Sequence, residues 1–171
     1  VDERQRVELW RRVAGCLHRG GVRFWLADGS ALGAVRDAAF IASDGDIDLG
    51  IWPADRQRTL QALSGGGFRL LRKARRTRIL VAGPPVVDIK IHTVTVSGDR
   101  VYYLLGPRAR RLRYEFPAGL FAAFEPITLH GVRTLVPSPP GPYLLAHYGP
   151  TWQTPNHSWD YRSDPPCLSL V

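Results

Sequence analysis

Methionine is absent from the 171 residues, lysine occurs twice and cysteine twice. Cys16 and Cys167 stand far apart, with no Cys-x-x-Cys pair and no Cys/His spacing of a zinc site. Neither a disulfide framework nor a structural zinc is therefore expected. Cys16 falls near the apolar side of a predicted helix, as a buried thiol would, and Cys167 falls in a tail expected to fray. No apolar run approaches the roughly 18 residues needed to cross a bilayer. The N-terminus is polar and charged, so no secretory signal is visible and a cytoplasmic location is the expectation. The missing initiator Met points to a trimmed chain or to part of a longer one. Internal repeats and linker-like stretches are also lacking, so a single domain over residues 1–171 is expected, its last stretch, about 150–171, irregular and rich in aromatics.

What is present is 44% hydrophobic and carries a formal net charge of +8, from 21 Arg, 2 Lys and 15 acids. That composition suits a folded domain with a sizeable core. Guanidinium forks suit phosphate and carboxylate, although a GC-rich genome explains an arginine bias equally well. Two basic clusters, Arg69, Arg72, Lys73, Arg75, Arg76 and Arg78, then Arg108, Arg110, Arg111 and Arg113, can bind polyanions or line solvated strand faces.

Periodicity predicts a helix over 3–19, with Val7, Trp10, Val13, Ala14 and Leu17 on one face and Gly20-Gly21 ending it. A strand follows over 22–27, then a turn at Asp28-Gly29-Ser30 and a helical patch over 31–37. The next strand runs 46–52 and a helix 53–63, stopped by three glycines. Strands are expected at 68–74 and 77–82, joined by a basic turn near Arg75-Arg76. The clearest strand is 86–96, and Ser97-Gly98-Asp99 turns it into 101–105. A basic strand over 108–116, a short helix over 117–124 and a hairpin about His130-Gly131 come next. Ser138, as N-cap with Pro139 at the first helical position, opens a helix reaching Tyr148, which Gly149 stops. The fold class is α+β, a mixed sheet flanked by helices.

Asp44, Asp46 and Asp48 lie within five positions, in apolar surroundings. On a strand Asp46 and Asp48 share one face while Ile47 and Leu49 point to the core. Asp88 sits in a similar apolar setting, among Val86, Val87, Ile89 and Ile91. If its strand pairs beside the first, three carboxylates converge and repel one another, and a hard divalent cation relieves this. Two such ions can clamp an in-line phosphoryl displacement. Gly29-Ser30 at a helix start offers backbone N–H groups to a phosphate, with Arg36 in reach. Lys90 and His92 share the face of Asp88, which makes both candidate phosphate contacts. Taken singly, a Gly-Ser turn or an Asp-x-Asp pair is ordinary surface chemistry; their order along the chain is the signal.

Gly29-Ser30, then Asp46-Ile47-Asp48, then Val87-Asp88-Ile89 resembles the nucleotidyltransferase superfamily pattern. More narrowly, GSALGAVRDAAFIASDGDIDLGI resembles the LicD family motif, approximately G-[ST]-L-L-G-A-x-R-x-x-x-F-I-x-W-D-D-D-I-D-x-G. YLLAHYGPTWQTPNHSWDY, residues 143–161, is similar to that family's C-terminal Y-G-x-W-x-T-P block. The resemblance implies a transfer of a phosphorylated alcohol, such as phosphocholine or ribitol phosphate, from a CDP-linked donor to a hydroxyl acceptor such as a glycan. It implies Mg²⁺ or Mn²⁺ as cofactor, held by Asp46, Asp48 and Asp88, with Asp88 as general base. Gly29, Ser30 and Arg36 match phosphate-side positions, and Asp44 matches the first acid of the run. Gly45 replaces the usual middle acid and Ser43 the usual Trp.

In the C-terminal block, Tyr148, Trp152, Trp159 and Tyr161 can stack on a base or cup a quaternary ammonium. Trp152 and Tyr161 are expected to pack the tail instead. Asn156, His157, Trp159 and Asp160 are candidate substrate contacts. Two other functions fit parts of the sequence. The same carboxylates can move a nucleotide from an NTP to a phosphate, phosphonate or hydroxyl. A non-catalytic polyanion-binding module would use the +8 charge, although the three acids argue against nucleic acid as partner.

Overall fold

The computed structural model describes residues 2–74, 78–82, 88–105 and 112–170. Helix α1 (Glu3–Arg19) is capped by Asp2, whose carboxylate accepts from Arg4 N–H at 3.1 Å. Its inward face is Leu9, Trp10, Val13, Ala14 and Leu17, and it also buries Arg6, while Val7 is only partly covered. The Trp10 indole N–H donates to Leu129 O at 3.0 Å and ties the helix across the domain. Strand β1 (Phe24–Leu26) is shorter than its apolar run. Helix α2 (Asp28–Arg36) begins at Asp28, so the expected Asp28-Gly29-Ser30 turn is the first turn of the helix itself. Strand β2 (Asp46–Ile51) follows, then a 3₁₀ turn at Pro53–Asp55 leading into α3 (Arg56–Gly65).

Strands β3 (Arg69–Ala74), β4 (Arg78–Ala82) and β5 (Asp88–Thr93) complete a five-stranded sheet of order β1-β2-β5-β4-β3. β2 and β5 are parallel and the other neighbours antiparallel, so the sheet is mixed. Trp25 pairs with Gly50 across β1 and β2, and a Cβ at Gly50 would overlap the Trp25 indole. The expected basic turn at Arg75-Arg76 and the basic residues Arg108, Arg110 and Arg111 lie outside the described residues.

The run read as one strand over 86–96 divides at Val94. β5 ends at Thr93, Val94 N–H donates to Ile51 O at 2.9 Å, and β6 (Thr95–Ser97) opens a second sheet. That sheet, of order β11-β8-β7-β6, contains β7 (Arg100–Leu105), β8 (Leu112–Pro117) and β11 (Leu168–Leu170). Apolar character continues through Val94, so hydropathy alone carries no mark of the change of sheet. The short helix expected over 117–124 is a 3₁₀ turn, Ala118–Phe121. β9 (Phe124–Leu129) and β10 (Val132–Pro137) form the expected hairpin.

Helix α4 (Pro140–Tyr148) starts two residues after Ser138. Ser138 is not its cap: its hydroxyl donates to Glu125 at 2.6 Å. The C-terminal stretch is irregular only in part. Leu168 pairs with Tyr114 and Leu170 with Leu112, and Cys167 O accepts from Glu115 N–H at 2.9 Å, so this end is a sheet edge and not a fray. Burial pushes the Cys167 thiol up to about 12, with Asp28 adding to the shift.

Candidate active site

Strand β2 sets the site. Ile47, Leu49 and Ile51 are fully buried, which turns Asp46 and Asp48 to the opposite face. Helix α2 is bonded to that strand at its start. Ala27 N–H donates to Asp48 O at 3.0 Å, and Asp48 N–H donates to the Ser30 hydroxyl oxygen at 2.9 Å. Ser30 is thus buried and holds helix to strand. Gly29 is needed by close approach: a Cβ there would overlap the Asp44 carboxylate. The positive end of α2 faces the acids, a favourable arrangement for negative charge.

Carboxylate oxygens of Asp44, Asp46 and Asp48 lie within 4.8 Å of one another. Lys90, one strand over on β5, forms an ion pair with Asp46. In the parallel register Asp46 stands beside Asp88 and Asp48 beside Lys90. The backbone of Asp88 therefore adjoins the pair as expected; its side chain lies outside the described residues. Burial pushes the Asp44 carboxyl up from its ordinary range, against the opposing pull of Lys90, Arg6 and the Gly45 N–H. A cluster of hard oxygen donors, one of them held back from ionising by burial, fits a hard divalent cation such as Mg²⁺ or Mn²⁺.

Arg6 holds the loop that brings Asp44 in. Its guanidinium donates to Ile41 O at 3.0 Å and to Asp44 O, and lies 4.8 Å from the Phe40 ring centroid. Exchange of Arg6 for methionine keeps the stem and removes the donors. We expect a loss of about 1–3 kcal/mol in urea unfolding and faster amide hydrogen exchange at Asp44, whose N–H donates to Ile41 O.

Beneath the acids lies a second polar group. His92 Nε2 is 3.2 Å from Asp48 Oδ1 and 3.3 Å from Asp28 Oδ2. Tyr103 donates its hydroxyl to Asp28 Oδ1, and Asp28 N–H donates to the Tyr143 hydroxyl at 3.2 Å. Burial beside Asp28 keeps both phenols well above their ordinary values. His147 Nδ1 lies 3.4 Å from Asp28 Oδ1, yet burial, with His92 adding repulsion, lowers its pKa to about 3 and keeps it neutral. Asp28 has φ 42, inside the left-handed region. Asp28, His147 and Arg6 were not singled out from sequence. His92 was, by alternation with Asp88, although as a phosphate contact.

Both groups open on a cavity of about 1570 Å³. Its far wall is the C-terminal block. Tyr148 stacks on His147 at 4.3 Å and 9°, and Trp159 lies 5.1 Å from Tyr148. Asn156, His157 and Trp159 line the cavity, and Trp152 does too while packing partly on the core, as its expected tail-packing role requires. Tyr161 was expected to pack the tail, but the residue is 50% exposed at the rim while its carbonyl accepts from the Tyr114 hydroxyl. Asp160 turns its carboxylate to Arg162 N–H at 2.9 Å, within its own turn. Arg36 reaches the cavity wall, with its guanidinium paired to Asp37 at 2.8 Å.

A mixed sheet carrying Asp-x-Asp on β2 beside a parallel neighbour is the layout of a nucleotidyltransferase fold. Solved structures agree with it. The antibiotic-resistance factor ANT(2'')-Ia in solution aligns with a TM-score of 0.61 at 14% identity, over 94% of this chain and 80% of that one. The lincosamide antibiotic adenylyltransferase LnuA, bound to lincomycin, aligns at 0.55 and 16% identity, over 80% and 82%. At such identities the likeness is one of fold. Residues 21–82 match the family described as LicD/FKTN/FKRP, nucleotidyltransferase domain. Among curated relatives, ribitol-5-phosphate transferase FKTN of Mus musculus is 30% identical over 176 residues, covering 97% of this chain and 37% of the relative. FKTN of Homo sapiens is 26% identical over 166 residues, covering 93% and 35%. Ribitol 5-phosphate transferase FKRP of Mus musculus is 50% identical over 48 residues, 28% of this chain and 10% of its own. The chain thus spans little more than a third of the FKTN relatives. Among the described residues, no helix is long and apolar enough to cross a membrane.

Proposed function

We propose that this chain transfers a phosphorylated alcohol from a CDP-linked donor to a hydroxyl acceptor, with Mg²⁺ or Mn²⁺. The observation that carries the reading is the convergence of Asp44, Asp46 and Asp48 at the mouth of a cavity with an aromatic far wall. Asp46 and Asp48, with Asp88 from the adjoining register position, would hold the cation. When bound, such an ion neutralises charge on the phosphate oxygens and favours in-line displacement.

The chain's own groups then have distinct tasks. The α2 start, with Gly29 and Ser30, faces the donor phosphates, and Lys90 and Arg36 offer cations to them. Asp88 accepts the proton of the acceptor hydroxyl. The freed oxygen bonds to the phosphorus bearing the alcohol, the bridge to the nucleotide's phosphate breaks, and CMP leaves. Trp159, Asn156 and His157 contact the base or the alcohol across the cavity. Residues 1–171 act as one catalytic domain, for which we propose a cytoplasmic setting. Ribitol phosphate is the first alcohol to test, from the names of the FKTN and FKRP relatives.

Nucleotidyl transfer from an NTP is the second reading, favoured by the adenylyltransferase named among the fold's neighbours. A thermal-shift panel of CTP, CDP-ribitol, CDP-choline and CDP-glycerol, each with and without Mg²⁺, separates the donors. A donor at 100 times its Kd stabilises by about 2.7 kcal/mol, and we expect a CDP-alcohol to do so only with the metal. CMP release then identifies phospho-alcohol transfer, whereas pyrophosphate release from CTP identifies nucleotidyl transfer and displaces our reading.

A further inference from the structure

We infer that His92 and Asp28 are positioning residues that fix the orientation of the Asp48 carboxylate toward its cation. The inference rests on the reading of Asp48 as a metal ligand and adds to it two residues that act through that carboxylate.

The geometry is that of a clamp. His92 is fully buried and its Nε2 stands between Asp48 Oδ1 at 3.2 Å and Asp28 Oδ2 at 3.3 Å. Two carboxylate oxygens flanking one ring nitrogen require that nitrogen to carry the proton. The other elements hold the clamp itself in place. The Tyr103 ring packs on His92 at 4.7 Å, and its hydroxyl caps the remaining Asp28 oxygen. Tyr143 on α4 fixes the Asp28 backbone N–H. His92 comes from β5, Asp28 from α2, Tyr103 from β7 and Asp48 from β2, so four separate elements meet in one polar group centred on His92. Asp28 keeps a left-handed backbone at a non-glycine residue, a conformation that persists where surrounding contacts over-determine it.

Asp48 Oδ2 is the oxygen nearer Gly29, on the side of Asp44. Holding Oδ1 from below leaves the other lone pairs facing the acidic cluster. Partners that orient a ligating carboxylate typically contribute about 10–100-fold to metal affinity.

Mn²⁺ is the probe, titrated into the metal-free chain and followed by electron paramagnetic resonance of the free ion. Wild-type binding that Asp46→Ala removes establishes the acidic site independently. His92→Phe keeps the ring against Tyr103 but cannot donate, and we expect Kd to rise by about 10–100-fold. His92→Gln retains an N–H donor and should recover part of the loss. Asp28→Asn, nearly isosteric, should weaken binding in the same direction and replaces His92→Phe as the test if that variant does not fold. An unchanged Kd in the folded variant, even with a lower melting temperature, makes the clamp merely structural and overturns the inference while leaving the metal reading intact. A wild-type chain that binds no Mn²⁺ overturns both.

Discussion

Asparagine in place of Asp48 is expected to stop the proposed transfer, by roughly a thousandfold or more, because the cation proposed to stabilise the phosphoryl group would then be held by one carboxylate fewer. Asparagine in place of Asp44 is expected to weaken metal binding and, in the metal-free protein, to raise the melting temperature. The second half follows from burial. The Asp44 carboxyl is pushed up, so the folded state binds a proton there more tightly than the unfolded chain does. A group raised in this way contributes stability at low pH and loses it as pH rises through its folded value. Above that value Asp44 is therefore a cost in the metal-free protein, which a neutral amide of similar shape removes. Function and stability then move in opposite directions at one cluster, as expected of a site built to receive a cation. Turnover assays and melting curves on both variants, with and without Mn²⁺, check this. An Asp48→Asn chain with near wild-type activity would remove Asp48 from the chemistry.

Acid should unfold the protein from below about pH 6.5, and His147 should dominate that loss. Its pKa falls from an ordinary 6.5 to about 3 in the fold. The unfolded chain thus takes up a proton between these values while the folded chain does not, and stability drops with falling pH across that window. At pH 3 the loss from this one residue is about 4 kcal/mol, a large share of a typical domain's total. His130 works in the same direction, its pKa also lowered by burial, where its Nε2 accepts from Phe40 N–H. Asp44 opposes both, since it gains its proton readily on the way down. Urea unfolding of wild type and His147→Gln between pH 7 and pH 4 decides the matter. The wild-type curve should fall steeply and the variant's should be shallower; parallel curves would show that His147 is not the titrating group.

The acidic pair was legible because a strand has period two. Asp46, Asp48, Lys90 and His92 follow from alternation, and their meeting follows once β2 and β5 pair in parallel. The LicD pattern added Gly29, Ser30 and Arg36. Asp28 and His147 were not legible, since nothing local says that α4 docks its one histidine against the start of α2. Arg6 was hidden for another reason. It sits on a helix whose other arginines face solvent, and only the fold of residues 37–45 turns two carbonyls toward it. The break at Val94 and the edge strand at Leu168–Leu170 escaped notice because each depends on a distant partner, Ile51 in one case and β8 in the other.

That edge strand bears on ligand capture. Residues 149–167 leave α4 at one end and enter β11 at the other, so the aromatic wall between them is a loop fastened at both ends. The conformational entropy of ordering such a loop is lost when the chain folds, not when a ligand arrives. A wall fastened at only one end would have to be ordered at each encounter and would release its guest sooner. The three residues Leu168–Leu170, far from the carboxylates in sequence, therefore act on the residence time of whatever the cavity holds.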